Sequence, residues 1–437
     1  MQTGFFYLSF MEIAELYKIY LKHPLIVTDT RKLLPDSLFF ALKGEKFNGN
    51  KFAKQAMENN VAYAIIDEAE YKTDDRTILV DNTLECLQQL AAYHRSQLSV
   101  PVIGITGSNG KTTTKELIYE VLSHKFKTYA TKGNMNNHIG VPLSILEIKP
   151  EHEIAIIEMG ANHPGEIQNL CSISQPDYGI ITNVGKAHLE GFGSFENVIK
   201  AKTELYRDVE QRNGMVFINN NNNTLKLNAQ NLKQFTYGTN SSADIYVTFL
   251  QANPYVKLYW ENKKIIIQSQ LIGKYNFENI LSAIAIGEYF NVDSELIKKA
   301  IEEYYPKNAR SEFIHKESNT IILDAYNANP TSMMAALENF NLMQSVHKVV
   351  MLGDMLELGK YEESEHEKIL EFLVANDYKK VFLVGSIFSS VNMFSRFLTF
   401  KNSIALREYL KKNPVTGALI LVKGSRGTQM EHVLEAL

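Results

Sequence analysis

The stretch PVIGITGSNGKTTTKELIYEVLSHKF, residues 101–126, constrains this chain more than any other. An apolar run from Val102 to Thr106 passes through a glycine-rich turn into a segment with helical spacing of its apolar positions. A strand feeding a helix in this way opens a βαβ unit, and such units build parallel sheets covered on both faces. The turn also carries chemistry. Backbone N–H groups around Gly107, Ser108, Asn109 and Gly110, with the amino end of the helix, would cradle polyphosphate oxygens. Lys111 would offset phosphate charge, and the Thr112 hydroxyl would reach a Mg2+ ion. The spelling is unusual, because Ile105 stands where the common phosphate loop has its first glycine. A glycine turn with a chance lysine is the plainer reading, and the flanking strand and helix speak against it.

The same alternation organises the rest. At 437 residues the chain exceeds what one core usually serves, so two or three domains are expected. Residues 12–98 alternate short apolar runs (LIVTDTR, SLFFALKG, AYAIID) with helical patterns and read as a small α/β unit. From 99, the strands EIAIIEMG, YGIITNVG and MVFIN end at polar residues, the pattern of a largely parallel sheet with functional groups at strand carboxyl ends. The run Asn219–Asn223 reads as a solvated turn. From about 307 the alternation restarts with TIILDAYNANP, KVVMLGDMLELG, KVFLVGS and ALILVKGSRG, a third α/β domain of dinucleotide-fold character. The expected boundaries are therefore 1–98, 99–306 and 307–437.

Composition excludes several classes. A net charge of -4 lacks the basic excess that phosphate backbones select, so nucleic acid is not an expected partner. Cys86 and Cys171 are the only cysteines, which suits a reducing, cytoplasmic compartment and neither a disulfide framework nor a zinc site. No run is long enough to span a membrane. The opening MQTGFFYLSF lacks a basic leader and reads as a dispensable extension before an amphipathic helix beginning at Met11.

Further candidates follow the loop. Glu158 ends a buried strand, a place suited to a Mg2+ contact, although alone it is only a strand terminus. On the helix starting near Ser194, Lys200 shares a polar face, whereas Lys202 shares a face with Val198, Ile199, Leu205 and Tyr206. A buried ammonium is costly, so Lys202 either snorkels to the surface or has a special role. Asn276 and Asn279 open a helix whose inner face is Ile280, Ala283, Ile284 and Gly287; they read as caps or as amides reading a base edge. Asp324 after the strand TIIL suits ribose hydroxyls, and Arg310 suits a γ-phosphate.

Together TGSNGKTTTK, GNMNNHIGVP, EMGANHPGEI, TNVGKAHLEGFGS, AKTELY, YNANPTSM, LGDMLELG and LVKGSRG resemble the Mur ligases, and TDTRKLLPDSLFFALKGEKFNGNKFA extends the resemblance into the first domain. The resemblance implies an α/β protein of three domains: a small UDP-binding domain, a central parallel-sheet phosphate-loop ATPase, and a Rossmann-like third domain. YNANP, LGDMLELG and VKGSR are similar to the member that adds D-alanyl-D-alanine to UDP-N-acetylmuramoyl-tripeptide, an amide ligation through an acyl phosphate in peptidoglycan precursor synthesis. By the same resemblance Gly107–Thr113, Thr113 included, hold ATP. Thr112 and Glu158 serve one Mg2+, and His188 with a carboxylated Lys202 serves a second. Lys111, His188 and Lys202 are the implied catalytic residues. Asn276 and Asn279 contact adenine, Arg310 the phosphates and Asp324 the ribose. Thr28, Asp29, Arg31, Lys43 and Gly44 match the uridine-nucleotide segment, and Asn134, Asn136, Asn137 and His138 the loop facing the sugar and pyrophosphate. A monomer is expected.

The asparagine run stands where relatives carry an Asp-Asn pair, and KNARSEF lacks the glycine often found before the arginine, which implies a stiffer hinge at Arg310. Three rival readings fit the chain less well. A folylpolyglutamate synthase-like ligase lacks the first domain. A non-catalytic nucleotide-binding scaffold fits poorly with retention of Lys111, Glu158, His188 and Lys202. A switch GTPase needs an Asn-Lys-x-Asp motif that this chain does not contain.

Overall fold

A computed structural model describes residues 12–306 and 309–437. The expected N-terminal extension, Met11, and the first two residues of the KNARSEF hinge lie outside the described residues. The chain divides into two compact units. The first runs through Gly104 and adds Lys127–Met159 and Gln168–Asp177; the second comprises Ile105–Phe126, Gly160–Ile167 and Tyr178–Leu437.

In the first unit the strands Ile26–Val27, Leu38–Phe40, Tyr63–Ile66 and Thr77–Leu79 form a parallel sheet in that order. Phe39, Ala41, Ala64 and Ile66 pack beneath it against Ala53, Ala56 and Met57 of a short helix. The amphipathic helix Ile13–Lys22 buries Leu16 and Tyr20. The helix Thr83–Ser96 starts at Asn82, whose side chain accepts from the N–H groups of Leu84 and Glu85, a conventional N-cap. Near its other end Arg95, almost buried, donates to the carbonyls of Ser174 and Gln175 and pairs with Asp177 at 2.9 Å. A second parallel pair, Thr128–Ala130 with Ile154–Glu158, ends at Glu158.

In the second unit, Tyr178–Ile181, Met215–Asn219, Lys233–Gly238 and Ile245–Ala252 are neighbours in a parallel array. It then turns antiparallel through Tyr255–Trp260 and Ile265–Ile272. That extension departs from the largely parallel reading. Its alternation of half-buried and buried residues in YVKLYW is the mark of a sheet with one face exposed. The asparagine run is also more built than a solvated turn. Asn219 is fully buried and closes a strand, Asn222 caps the helix Asn223–Leu227, and Asn221 accepts from both the N–H and hydroxyl of Thr239. Short polar side chains are replacing backbone partners there.

The same unit carries a six-stranded sheet in the order Glu312–Lys316, Asn319–Asp324, Leu419–Lys423, Lys348–Gly353, Lys380–Val384 and Leu398–Phe400. Only the Glu312–Lys316 edge is antiparallel. The helices Pro330–Leu342 and Glu362–Ala375 bury Leu337, Phe340 and Leu370 in one core with Val350 and Leu352. Ser403–Lys412 buries Leu406 and Leu410 in the other, with Met351 and Ile420. This doubly covered, mostly parallel sheet is the expected third α/β layer system.

Candidate active site

The glycine loop follows the strand Val102–Thr106 and delivers the chain into the helix Lys111–Ser123. Gly107 and Gly110 both have positive φ, +146° and +78°. A Cβ at Gly107 would stand 2.0 Å from Thr182 Oγ1, and one at Gly110 would stand 2.5 Å from Asn279 Oδ1. Both glycines are therefore required by conformation and by space. The loop is held by the segment 182–186. Asn183 Oδ1 accepts from the Asn109 N–H at 3.0 Å, and the Asn109 carbonyl accepts from Thr182 Oγ1 at 2.6 Å and Asn183 Nδ2 at 3.0 Å. Ser108 N–H donates to the Asn183 carbonyl, and Ser108 Oγ bonds the Gly185 backbone. Thr182 and Asn183 are not among the site residues the sequence points to; TNVG after a strand is the only local signal of them.

Lys111 donates to the Gly107 carbonyl at 2.7 Å, folded over its own loop, while Thr112 and Thr113 are buried in the first helical turn. Asn276 and Asn279 do not cap the helix Phe277–Tyr289. Asn276 Nδ2 donates to the Ile272 carbonyl, Asn279 Nδ2 donates to Asn276 Oδ1, and Thr114 Oγ1 donates to Asn279 Oδ1 at 3.1 Å. The two amides thus stand against the phosphate-loop helix, a tertiary role that capping statistics do not foresee.

Lys202 closes the helix Phe195–Lys202 and is 1 % exposed. It does not snorkel. Its Nζ donates to the Ala161 carbonyl at 3.2 Å and lies 5.4 Å from the Phe192 ring centroid. Burial, then the positive charge of Lys111, pull the Lys202 amine down to about 7. Lys200 is exposed, as its face predicts.

His188 has a left-handed backbone, φ +52°, and so does Glu357, φ +64°. Their side chains meet, His188 Nδ1 against Glu357 Oε2, and that bond holds the Glu357 carboxyl below its usual range. Two non-glycine residues in a sparsely populated region facing each other mark a place where tertiary structure overrides local preference. A pocket lies beside them, lined by His188, Asn327, Asn329, Glu357, Ser425 and Arg426. Its walls are held by Ser425 Oγ, which accepts from the Leu356 N–H and donates to the Ala328 carbonyl. Buried His366 adds to this by accepting from the Met355 N–H at 3.0 Å.

Asp324 accepts from the Ser311 N–H at 3.1 Å and pairs with Lys423 at 2.5 Å; the lysine side chain is 2 % exposed. Lys423 lies in LVKGSRG, and nothing in that segment alone marks it as the partner of Asp324. Arg310 lays its guanidinium over the Tyr326 ring, 3.6 Å from the centroid.

In the first unit Glu158 is 1 % exposed, and Asn136 Nδ2 donates to its Oε1 at 2.8 Å. Asn137 spends its Oδ1 on the N–H groups of Ile139 and Gly140, opening the helix Gly140–Leu146. Asn134 and His138 are exposed, and the His138 carbonyl accepts from Gln88. Half-buried Thr28 precedes Asp29 and Arg31, which form a two-pronged pair at 2.9 and 2.8 Å. Arg31 holds the Asp29 carboxyl at about 2. Lys43 reaches Asp67 at 3.0 Å and Glu68 at 3.3 Å, and beside it a Cβ at Gly44 would meet no heavy atom of the described residues within 4 Å.

The donor set tests the expected Mg2+. The Thr112 hydroxyl and Glu158 carboxylate are hard oxygen donors of the kind Mg2+ takes. His188 has one ring nitrogen engaged by Glu357, and Lys202 as an amine is no Mg2+ ligand. Among the described residues no cluster of three His, Cys, Asp or Glu is close enough to hold a metal. Each of the two oxygen donors suits a metal that takes substrate oxygens for most of its shell, and Lys202 would suit one only after conversion to an oxygen donor.

Comparison with known proteins bears on the whole chain. Three family models match in order: Mur ligase family, catalytic domain, over residues 24–95; Mur ligase middle domain over 105–287; and Mur ligase, glutamate ligase domain, over 309–426. UDP-N-acetylmuramoyl-tripeptide–D-alanyl-D-alanine ligase of Bacillus subtilis (strain 168) is 36% identical over 427 residues, covering 94% of this chain and 92% of the relative. Among solved structures, MurF from Acinetobacter baumannii superposes with a TM-score of 0.85 at 32% identity, covering 94% of this chain and 92% of that one. MurF ligase from Thermotoga maritima in complex with ADP gives 0.84 at 27% identity, covering 95% and 97%. With three successive domains matched and a relative this similar along nearly its whole length, the chain belongs to the Mur ligase family.

Proposed function

We propose that this chain is an ATP-dependent amide ligase that joins D-alanyl-D-alanine to UDP-N-acetylmuramoyl-tripeptide in peptidoglycan precursor synthesis. The observation that carries the reading is the phosphate loop locked by Thr182 and Asn183, with Lys111 and the buried Lys202 beside it. The tripeptide carboxylate attacks the γ-phosphorus of ATP, the bond to ADP breaks, and an acyl phosphate forms. The dipeptide amine, having lost a proton, attacks that carbonyl carbon, and phosphate leaves from the tetrahedral intermediate.

Two anions must approach each other, so positioning and positive charge carry most of the rate gain. The loop N–H groups and Lys111 bind the phosphates. Asn276 and Asn279 face adenine, Arg310 the phosphates and Asp324 the ribose, with Lys423 fixing the Asp324 carboxylate. Thr112 and Glu158, and His188 with a carboxylated Lys202, would hold Mg2+, whose charge would offset that of the phosphate oxygens. Asp29, Arg31 and Lys43 serve the uridine nucleotide, with Asn134, Asn136, Asn137 and His138 toward the sugar. The domains are 1–98, 99–306 and 307–437, and the enzyme works as a cytoplasmic monomer. No helix among the described residues is long and apolar enough to cross a membrane.

Phosphate release from ATP is expected to require both the tripeptide nucleotide and D-Ala-D-Ala, and L-Ala-L-Ala is expected to support little turnover. Hydrolysis indifferent to both substrates, or turnover with tetrahydrofolate and glutamate in their place, would reject the assignment.

The dipeptide is a zwitterion, and the pocket beside His188 has an anion, Glu357, and a cation, Arg426, in its lining. Arg426 is largely exposed, and its pair with Glu431 at 3.0 Å is a surface one of little stabilising value. Replacing Arg426 with Met is expected to raise the KM for D-Ala-D-Ala by roughly tenfold or more, the cost of a hydrogen bond to a charged group, with the KM for ATP unchanged. The dipeptide carboxamide should be a poor substrate for the wild type and no poorer for the variant. A KM for D-Ala-D-Ala that does not move removes Arg426 from the acceptor site.

A further inference from the structure

Asn329 makes two bonds of different kinds. It caps the helix Pro330–Leu342, its Oδ1 accepting from the Ser332 N–H at 2.9 Å while its own N–H donates to Ser332 Oγ. Its Nδ2 donates to Asn109 Oδ1 at 2.8 Å. Because Oδ1 is committed to the cap, only Nδ2 is left to face the loop, so Asn109 must present its oxygen. Asn109 is the residue whose backbone N–H and carbonyl are gripped by Thr182 and Asn183. The contact is reinforced next door, where Thr331 Oγ1 accepts from the Lys186 N–H at 3.1 Å and Lys186 pairs with Glu365 at 2.9 Å. Asn329 is only 7 % exposed, and it also lines the pocket that holds Arg426 and Glu357.

One side chain therefore touches the phosphate loop and borders the pocket. The cap alone does not explain an asparagine, since serine caps as well and cannot reach Asn109. We infer that Asn329 is a positioning residue that ties the phosphate loop to the six-stranded sheet, so that nucleotide in the loop orders the segment 325–333 and the pocket beside it. A tie of this kind is reciprocal: what orders the loop steadies the pocket, and the converse. The kinetic consequence rests on the ligase reading; the tie itself does not.

The test uses the full chain with ADP and MgCl2 and follows amide hydrogen exchange by mass spectrometry. ADP is expected to slow exchange across 325–333 in the wild type. Asn329→Ser keeps the cap and is expected to lose that slowing, with its unfolding temperature nearly unchanged. Asn329→Asp should retain it, because Asn109 can turn its amide and donate to the carboxylate. Asn109→Ala removes the acceptor from the other side and should behave as Asn329→Ser, which keeps the test open if the serine variant folds poorly. In turnover, Asn329→Ser should lower kcat by about five- to tenfold, in line with one partly buried neutral hydrogen bond. The inference is overturned if ADP slows nothing in the wild type, if Asn329→Ser keeps the slowing, or if Asp and Ser behave alike. A chain that shows the exchange pattern but forms no amide bond keeps the tie and overturns only the ligase reading.

Discussion

Lys111→Ala is expected to lower kcat/KM by roughly a hundredfold or more, on the order of 3 kcal/mol of transition-state stabilisation. The lysine is the cation of the phosphate loop, and charge moves onto the transferred phosphoryl oxygens and the departing ADP as the bond breaks. The fold should not suffer. In the resting structure Lys111 Nζ donates to the Gly107 carbonyl, and the loop is independently gripped at Ser108 and Asn109 by Thr182, Asn183 and Gly185. The measurement is phosphate release beside thermal unfolding of the same preparation. Near-normal turnover with a collapse of the unfolding temperature would mean that Lys111 is a structural clamp and not a phosphate ligand. Removing the positive charge should also raise the Lys202 amine, since the Lys111 charge is the second cause of its depression.

These effects depend on how the loop is supported, and that support is only partly legible in the sequence. The strand, the two glycines and the helix follow from local pattern, because φ, helical periodicity and phosphate binding are local matters. The partners of the loop are not local. Asn183 lies about seventy-four residues from Asn109, and nothing in either segment specifies that their amides meet. Asp324 and Lys423 are a sharper case. They are register partners on neighbouring parallel strands 99 residues apart, and register between distant strands cannot be read from either one. The acid is legible as a strand-end carboxylate; its buried cation is not. His188 stands out in the sequence as a candidate, yet its partner Glu357 sits in a loop whose left-handed backbone only the folded chain reveals. At Lys202 local pattern carries only half of the answer. Helical spacing put its stem among Val198, Leu205 and Tyr206, all of which are buried, but the choice between burial and snorkelling turned on Ala161 and Phe192, which come from other segments.

That buried amine leads to the second large effect: Lys202→Ala is expected to lose on the order of a hundredfold or more in turnover, and acetate should restore part of it. With its amine drawn down to about 7, roughly half of Lys202 is neutral near physiological pH, and a neutral amine reacts with CO2. The nitrogen bonds the carbon, one proton leaves to solvent, and the product is a carbamate with one negative charge. That exchange removes the repulsion between Lys202 and Lys111 and puts two oxygens where a nitrogen stood, the kind of donor a hard divalent ion accepts. Two independent readouts check it. Wild-type protein equilibrated with 13C-bicarbonate should show a carbamate carbon resonance that Lys202→Ala lacks. In CO2-free buffer the unmodified amine should leave a signature in stability. Because its pKa is lowered in the folded chain, the unfolded chain binds more protons between about 7 and the ordinary lysine value near 10.4, so stability rises with pH across that window. Below the window both states are protonated and the full penalty of burying the ammonium applies; the alanine variant should lack this component of the rise. Full turnover of Lys202→Ala without additive, or a wild-type spectrum with no carbamate signal under conditions of full activity, would reject the modification and return Lys202 to a purely structural place beside Ala161.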